Sequence, residues 1–373
     1  MKKRLLVFHS ALTPYRIDFF NALAEHFECT VVFVSRNNIN QPFEQEELLK
    51  KCLFKRDYMD MRIQLPQNRV MNFGYMYRIL KYKPDIVIGA EYGLPTLLPY
   101  LYKKLFHLKY TLYTICDDSL NIAITGGSRV RRKLRDFLIK RLNGVILVSD
   151  KVAEWYSSHF KLKQRPIVFP IIYNETPYRA MLQRIIPVSK TYQEQYDLIN
   201  KKVVLFVGRL TEVKNIPLLI QAFAQLHTDD NARLVIVGDG DMRENLLSMV
   251  QKVGMENKII FPGRFEGDKL YAWYNIADLF VLPSTYEPFG AVIVEALEAG
   301  CHVLCSERAG AANLINSGNG QIFNPENGKD LSSLLSRYLE QIEYKDIDSK
   351  AARPSLLPCS FRDSVKNMIE LLH

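Results

Sequence analysis

"DLFVLPSTYEPFGAVIVEALEAG", residues 278–300, reads as a short apolar strand, a loop and a helix in immediate succession. The strand is apolar at nearly every position, as a parallel strand covered on both faces is. Pro283 cannot donate to a sheet ladder and closes it. The helix "AVIVEALEA" starts near Gly290 or Ala291 and stops at Gly300, a usual terminator. Two carboxylates, Glu287 and Glu295, sit inside this otherwise core-like run, and ionised carboxylates are rarely buried without a partner.

The same alternation runs the length of the chain. Strands are expected at 4–10, 30–35, 85–90, 110–115 and 144–149 in the first half. In the second half they are expected at 202–208, 233–240, 258–263, 278–284 and 302–306. Two series of apolar strands separated by helical patterns predict an α/β protein of two doubly wound Rossmann-like domains facing a central cleft. A chain of 373 residues has room for two cores. The first domain is placed at 1–172, an inter-domain connection at 173–200 and the second domain at 201–350. A helical tail, 351–373, is expected to return to the first domain.

Hydrophobic residues make up 48% and charged residues 24%, ordinary values for a soluble globular enzyme. No run of about 18 apolar residues offers a membrane-spanning helix. The basic and apolar start, "MKKRLLVFHSALTPYR", reads as a buried first strand rather than a signal peptide. Of six cysteines only Cys301 and Cys305 lie close together, with His302 between them in a strand-like run, so buried free thiols are expected rather than a metal site.

Charge is unevenly divided. Residues 1–190 hold 31 Lys and Arg against 16 Asp and Glu, a net +15, while residues 191–373 hold 18 against 24, a net −6. The excess concentrates in "YLYKKLFHLKY" (100–110) and "RVRRKLRDFLIKRL" (129–142). In the latter, helical spacing puts Val130, Leu134, Phe137, Leu138 and Leu142 on an apolar side. That is a solvated helix packed on a sheet, or a surface that meets anionic lipid. Nucleic acid ranks third, because no recognisable binding motif accompanies the charge.

Ligands of open α/β sheets bind beyond the carboxyl ends of strands, and the candidate residues follow strands. In "VGRLTEVKN" (207–215), Gly208 permits close approach of a ligand, Arg209 can grip phosphate oxygens with two parallel hydrogen bonds and Lys214 adds a point charge. That chemistry suits a diphosphate, although two ordinary solvated bases would look the same. "VGDG" (237–240) lacks the third glycine of a dinucleotide fingerprint, and Asp239 with Asp241 reads as a loop and helix cap. The first amides of the helix after Gly290 welcome an anion. Glu295, flanked by Ala291, Val292 and Ala299, needs donors such as ribose hydroxyls, and Glu287 can reach another hydroxylated group. The plainer alternative makes Glu287 a capping residue and Glu295 part of an exposed helix face.

"EPFGAVIVEALEAG", with "GRLTEVKN", "VGDG", "YAWYNIADLFVLPS", "SERAGAANLI" and "GNGQIFNP" in order around it, resembles the retaining glycosyltransferases of the GT-B fold, family 4. The resemblance is dense over about residues 200–330. It implies that Arg209 and Lys214 hold a donor diphosphate, that Glu295 binds the nucleotide ribose and that Glu287 binds the donor sugar. Backbone amides at Phe289, Gly290 and Ala291 would meet phosphate or sugar, and Arg264 and Phe265 would border the base. It further implies a metal-independent front-face displacement that keeps the anomeric configuration, with no cofactor beyond a UDP- or GDP-type sugar donor.

The first half departs from many relatives. "HSALTPYRIDFFNAL" has no glycine after the first strand, and "TPYR" resembles one subgroup, so Pro14, Tyr15 and Arg16 are assigned to the acceptor side. Where relatives often place a histidine, "TICDDSLN" offers Asp117 and Asp118. Asp117 is either a sugar contact or a turn residue. The expected function is transfer of a sugar to a hydroxyl acceptor, a membrane-associated glycan or glycolipid of surface polysaccharide synthesis, in the cytoplasm or peripherally at the membrane. The competing readings are a sugar-nucleotide epimerase of similar architecture and a non-catalytic nucleotide-sugar-binding subunit. A dinucleotide-dependent oxidoreductase is disfavoured by the incomplete fingerprint.

Overall fold

Strands that are apolar throughout must be covered on both faces, and the chain satisfies this twice. The computed structural model describes residues 2–37, 45–59, 62–65, 69–72, 74–226 and 231–372. Contacts divide the chain into a first unit, Met1–Tyr173 with Phe361–His373, and a second, Asn174–Ser360.

The first unit contains β1 (Arg4–His9), β2 (Glu28–Phe33), β3 (Lys55–Tyr58), an antiparallel hairpin of β4 (Arg62–Leu65) and β5 (Arg69–Asn72), then β6 (Ile86–Ala90), β7 (Thr111–Cys116), β8 (Gly144–Leu147) and β9 (Ile167–Val168). All but the hairpin form a parallel sheet in the order β3-β2-β1-β6-β7-β8-β9. The second unit holds β10 (Lys202–Val207), β11 (Ala232–Val237), β12 (Ile259–Gly263), β13 (Leu279–Leu282), β14 (His302–Ser306) and β15 (Gly320–Phe323). They form a parallel sheet in the order β12-β11-β10-β13-β14-β15. Each unit is thus doubly wound, with its strand order reversing beside β1 in one and β10 in the other.

All ten strands expected from the sequence are present. Those it missed are edges or short pieces. β3 ("KRDY") and β15 ("GQIF") border their sheets, where a charged or polar strand resists further pairing. β9 has two residues.

The stretch expected to connect the domains is instead two helices, Glu175–Arg184 and Ile186–Gln195, that belong to the second unit. Their anchors are tertiary: Ser189 Oγ donates to the Ala272 carbonyl at 3.1 Å, and the Tyr192 ring stacks on Trp273 at 4.6 Å. The helix Phe361–Leu372 belongs to the first unit, with Phe361 edge-on to Phe169 at 5.7 Å and the Tyr113 hydroxyl donating to Leu371 O at 3.3 Å.

The basic stretch corrects the expected apolar side. Helix Arg129–Leu138 buries Leu138 but leaves Val130 and Phe137 exposed, while Arg135 is turned inward. The Arg135 guanidinium lies 5.2 Å from both the Trp155 and Phe160 rings and donates to Ala123 O. Two aromatic faces and a carbonyl satisfy a buried guanidinium that spacing alone would place outside.

The motif strand β13 is fixed at its amino end by a buried ion pair. Lys350 Nζ donates to Asp278 Oδ2 at 2.7 Å and to Ile276 O at 2.9 Å, and the same Asp278 oxygen accepts the Val203 amide at 2.9 Å. Burial pushes the Lys350 ammonium below its usual range, and Asp278 pulls it back up. Lys350→Met would strand the Asp278 carboxylate and is expected to destabilise the second unit by about 3–5 kcal/mol in urea titrations followed by Trp273 fluorescence. Adding Asp278→Asn should recover much of the loss.

Candidate functional site

A parallel sheet opens a crevice where neighbouring strands send their connections to opposite faces. In the second unit this lies between β10 and β13, at their carboxyl ends. The loop after β10 carries Gly208, Arg209 and the short 3-10 turn Glu212–Lys214, and the loop after β13 runs from Pro283 to Gly290. The loops are tied together, since the Thr285 amide donates to Val213 O at 2.9 Å. Beside that bond, Lys214 Nζ donates to Glu287 Oε2, with the two side chains only 16% and 13% exposed. Two residues singled out separately, one for phosphate and one for sugar, therefore meet as a largely buried ion pair. Arg209 is exposed on its loop. Two hydroxyls of these same loops, Thr211 Oγ1 and Ser284 Oγ, are buried with no hydrogen-bond partner among the described residues.

Gly290 turns the chain from loop into helix at φ +95°, a left-handed conformation that favours glycine, and an added Cβ there would lie 3.2 Å from Glu287 Cγ. The helix Ala291–Glu298 starts with no side-chain cap, and of its first amides Ile293 N donates to Gly290 O at 2.9 Å. Phe289 is buried just before it. The segment after β14, within "SERAGAANLI", braces the loop from beneath. Gly310 N donates to Glu287 O at 3.0 Å, and Ala311 N to Phe289 O at 2.7 Å. In "VGDG" the glycines serve packing: a Cβ on Gly238 would overlap the Gly208 carbonyl oxygen. Leu210 N donates to Asp239 O at 2.9 Å, which holds the two loops together.

Glu295 is buried rather than on an exposed helix face. The Tyr274 hydroxyl donates to its Oε2 at 2.7 Å, and the Tyr178 hydroxyl donates to its carbonyl oxygen at 3.1 Å. Burial first, and the Glu295 charge second, push both phenols well above their ordinary range, so both remain donors. Spacing gave no sign of either tyrosine, because they come from helices Asp268–Ile276 and Glu175–Arg184. Of the residues expected at the base, Arg264 pairs with Glu266, and the Phe265 ring rests against Tyr192 at 5.5 Å and Trp273 at 5.8 Å.

In the first unit the carboxyl ends of β1, β6 and β7 gather a second polar cluster. Pro14 and Tyr15 open the helix Pro14–His26, and Arg16, fully buried, donates to Asp117. This joins the expected acceptor-side arginine to the expected sugar-side aspartate. Asp118 is buried and gripped by Arg131 Nη2 at 2.9 and 2.8 Å. Sequence reasoning passed over His9, which ends β1. Burial and then the nearby Arg16 lower its pKa to about 4, and its Nδ1 donates to Ala11 O at 3.1 Å. Cys301 and Cys305 are buried free thiols. Among the described residues no group of three or more His, Cys, Asp and Glu is placed to hold a metal ion, and no helix is long and apolar enough to cross a membrane.

Residues 189–353 match the family described as glycosyl transferases group 1. The chain is 38% identical over 208 residues to an uncharacterized glycosyltransferase, MJ1607, of Methanocaldococcus jannaschii, covering 54% of this chain and 52% of that protein. It is 32% identical over 144 residues, 38% of each chain, to the N-acetylgalactosamine-N,N'-diacetylbacillosaminyl-diphospho-undecaprenol 4-alpha-N-acetylgalactosaminyltransferase of Campylobacter jejuni. The chain thus spans about half or less of the length of these curated relatives. Among solved structures it resembles Anabaena Alr3699/HepE in complex with UDP, with a TM-score of 0.75, 18% identity and coverage of 99% of both chains. That likeness shows the fold, GT-B.

The site helix also holds a carboxyl with a different fate. Glu298 is fully buried, and burial raises its pKa from 4.5 to about 7. The folded protein then keeps a proton that the unfolded chain releases, so stability falls as pH rises from about 4.5 to 7 and is level above. Glu298→Gln should remove that slope. Calorimetry should find the variant close to the parent at pH 4.5 and more stable at pH 8, by about 3 kcal/mol at most.

Proposed function

We propose that this chain, which carries a glycosyl transferases group 1 domain over residues 189–353, is a retaining glycosyltransferase that moves a sugar from a nucleoside diphosphate to a hydroxyl acceptor. The observation that carries the reading is the meeting of Lys214 and Glu287 where the strand order reverses, beside an uncapped helix start. A nucleotide sugar needs cations for its diphosphate and acceptors for its hydroxyls, and this arrangement sets one of each side by side from two loops.

Arg209 takes the diphosphate, with Gly208 leaving room for it. The amides of Phe289, Gly290 and Ala291 add donors at the positive end of the helix dipole. An ammonium has three N–H donors, so Lys214 can serve a phosphate oxygen while still holding Glu287. Glu287, oriented in this way, accepts from the hydroxyls of the donor sugar, and Glu295, oriented by Tyr274, accepts from the ribose. Arg264 and Phe265 border the base. As the glycosidic bond breaks, negative charge grows on the leaving phosphate, where the fixed cations and the helix end are already aimed. That phosphate takes the proton of the attacking hydroxyl, and the new bond forms on the face it leaves, so configuration is retained. Glu287, tied to a lysine, binds sugar and is not assigned the nucleophile's role of a retaining glycosidase.

In the first unit Arg16 is assigned to the acceptor side with Pro14 and Tyr15 beside it, and Asp117, to which Arg16 donates, is assigned to the donor sugar as a catalytic candidate. The acceptor is cast as a lipid-linked glycan of surface polysaccharide synthesis, met at the cytoplasmic membrane face. Supporting this are the basic first half and two relatives' names, one with a diphospho-undecaprenol acceptor and one a lipopolysaccharide transferase. The donor is cast as a UDP or GDP sugar, and the similar Anabaena structures with UDP and with UDP-glucose favour uridine.

Thermal unfolding with UDP, GDP, ADP and NAD tests the donor assignment. One nucleoside diphosphate at about 100 times its dissociation constant should stabilise the parent by about 2.7 kcal/mol, and Arg209→Ala should lose that shift. Stabilisation by NAD alone would sink the reading. Product analysis then separates the rivals: an epimerase converts donor without acceptor, and a binding subunit turns over nothing. Tyr274→Phe frees the Glu295 carboxylate to rotate and should narrow the preference for UDP over 2'-deoxy-UDP by roughly tenfold, the scale of one lost hydrogen bond. An unchanged preference in competition binding would remove Glu295 from the ribose.

A further inference from the structure

Helices on a soluble surface normally turn charge outward and apolar side chains inward. Two helices of the first unit turn both outward. Helix Leu94–Leu105 ends in "LYKKLF" (101–106), where Leu101 is 43% exposed, Leu105 70% and Phe106 53%. Helix Arg129–Leu138 exposes Val130 at 69% and Phe137 while burying Arg135. The Tyr100 and Phe137 rings meet edge-on at 5.7 Å, which makes the two helices parts of one surface.

The same surface is basic. Residues 94–142 contain ten Lys and Arg against three Asp and no Glu, and eight of the ten remain when the covered Arg131 and the buried Arg135 are set aside. Of those aspartates, Asp117 and Asp118 are already paired with Arg16 and Arg131. The Arg141 guanidinium covers the Phe137 ring at 4.0 Å, and Lys163 Nζ donates to Arg141 O at 2.8 Å. Lys163 and Lys104 both lie near enough to Lys103 to repel its charge. Arg141, with Lys163 beside it, thus lies at the Tyr100–Phe137 contact, and Lys104 is exposed at a helix end whose tip is leucine and phenylalanine. Unpaired cations interleaved with exposed large apolar side chains complement a surface that is anionic outside and hydrocarbon beneath.

We propose that this face, formed by helices Leu94–Leu105 and Arg129–Leu138, docks on an anionic lipid bilayer. Leu105 and Phe106 enter the acyl boundary, and Lys104, Arg141 and Lys163 lie among the headgroup phosphates. A nucleic acid would satisfy the cations but give Leu105, Phe106 and Val130 no hydrocarbon to enter. The inference deepens the lipid-linked acceptor reading and rests on it only for its biological purpose.

The test is co-sedimentation with vesicles, without donor or acceptor, so that its outcome does not depend on catalysis. Vesicles of phosphatidylcholine with about 30% phosphatidylglycerol should bind at least tenfold more tightly than phosphatidylcholine alone, and raised salt should erase most of that gain. Leu105→Ser with Phe106→Ser, and separately Lys104→Glu with Lys163→Glu, should each weaken binding about tenfold or more. Both variants should keep the parent's melting midpoint and its response to UDP. Binding indifferent to lipid charge, binding unchanged in either double variant, or retention of duplex DNA in place of vesicles would overturn the proposal. If vesicles bind as expected and no nucleoside diphosphate stabilises the protein, the docking face stands and the transferase reading fails alone.

Discussion

The ion pair of Lys214 with Glu287 is the constraint around which the second unit's loops are arranged. Both side chains are mostly buried, and two charges withdrawn from water are tolerated only in tight geometry with further hydrogen bonds nearby. The fold supplies that geometry from several directions. Strand order separates the connections after β10 and β13 to opposite faces, and the Thr285–Val213 bond then closes their tips together. Gly290 turns at positive φ, which leaves no side chain to crowd Glu287, and Gly310 and Ala311 hold the loop's carbonyls. A group fixed by this many independent contacts needs little reorganisation when a charged ligand arrives, which is the condition for electrostatic catalysis.

Three carboxylates lie on one short stretch of chain, and each has a different environment. Glu287 has a cation, Glu295 a phenol and Glu298 burial alone as the dominant influence. The differences follow from placement. Glu287 lies on the loop that meets the turn after β10. Glu295, further along, faces the helices bearing Tyr274 and Tyr178. Glu298, three residues later, points where Arg179 donates to its backbone oxygen and not to its carboxylate. One motif therefore places a carboxylate in an ion pair, a second under a phenol and a third where burial raises its pKa, without any change in side-chain type.

The sequence revealed what periodicity and turn chemistry encode. Apolar strands, the glycine-bounded helix from Ala291 and the loops that follow strands were all legible, and so were Lys214 and Glu287 one by one, but not their pairing. Partners across the fold were not. Nothing in "YAWYNIADLF" marks Tyr274 as the donor to Glu295, because the contact is made by helix packing. The 173–200 stretch looked like a connection because its helices are anchored by Ser189 and Tyr192 on distant residues and not by a strong apolar stripe. Edge strands β3 and β15 escaped because half their residues face water.

Net charge read from sequence also differs from the charge a surface presents. Four arginines of the basic first half are turned into the fold or largely covered by it. Arg16 is spent on Asp117, Arg78 on Asp57, Arg131 on Asp118 and Glu91, and Arg135 on two aromatic rings. Guanidinium is the cation suited to such positions, being planar, weakly hydrated and able to stack. Lysine, strongly hydrated, stays outside more readily. The outward field of the first unit is consequently narrower than +15 implies. Part of it is carried by lysines and the remaining arginines near 103–109 and 129–141, where exposed leucine, valine and phenylalanine side chains also lie. The sorting of the two cations, with four arginines inward on carboxylates and rings and lysine outward, makes the outward charge of the first unit smaller than its composition implies.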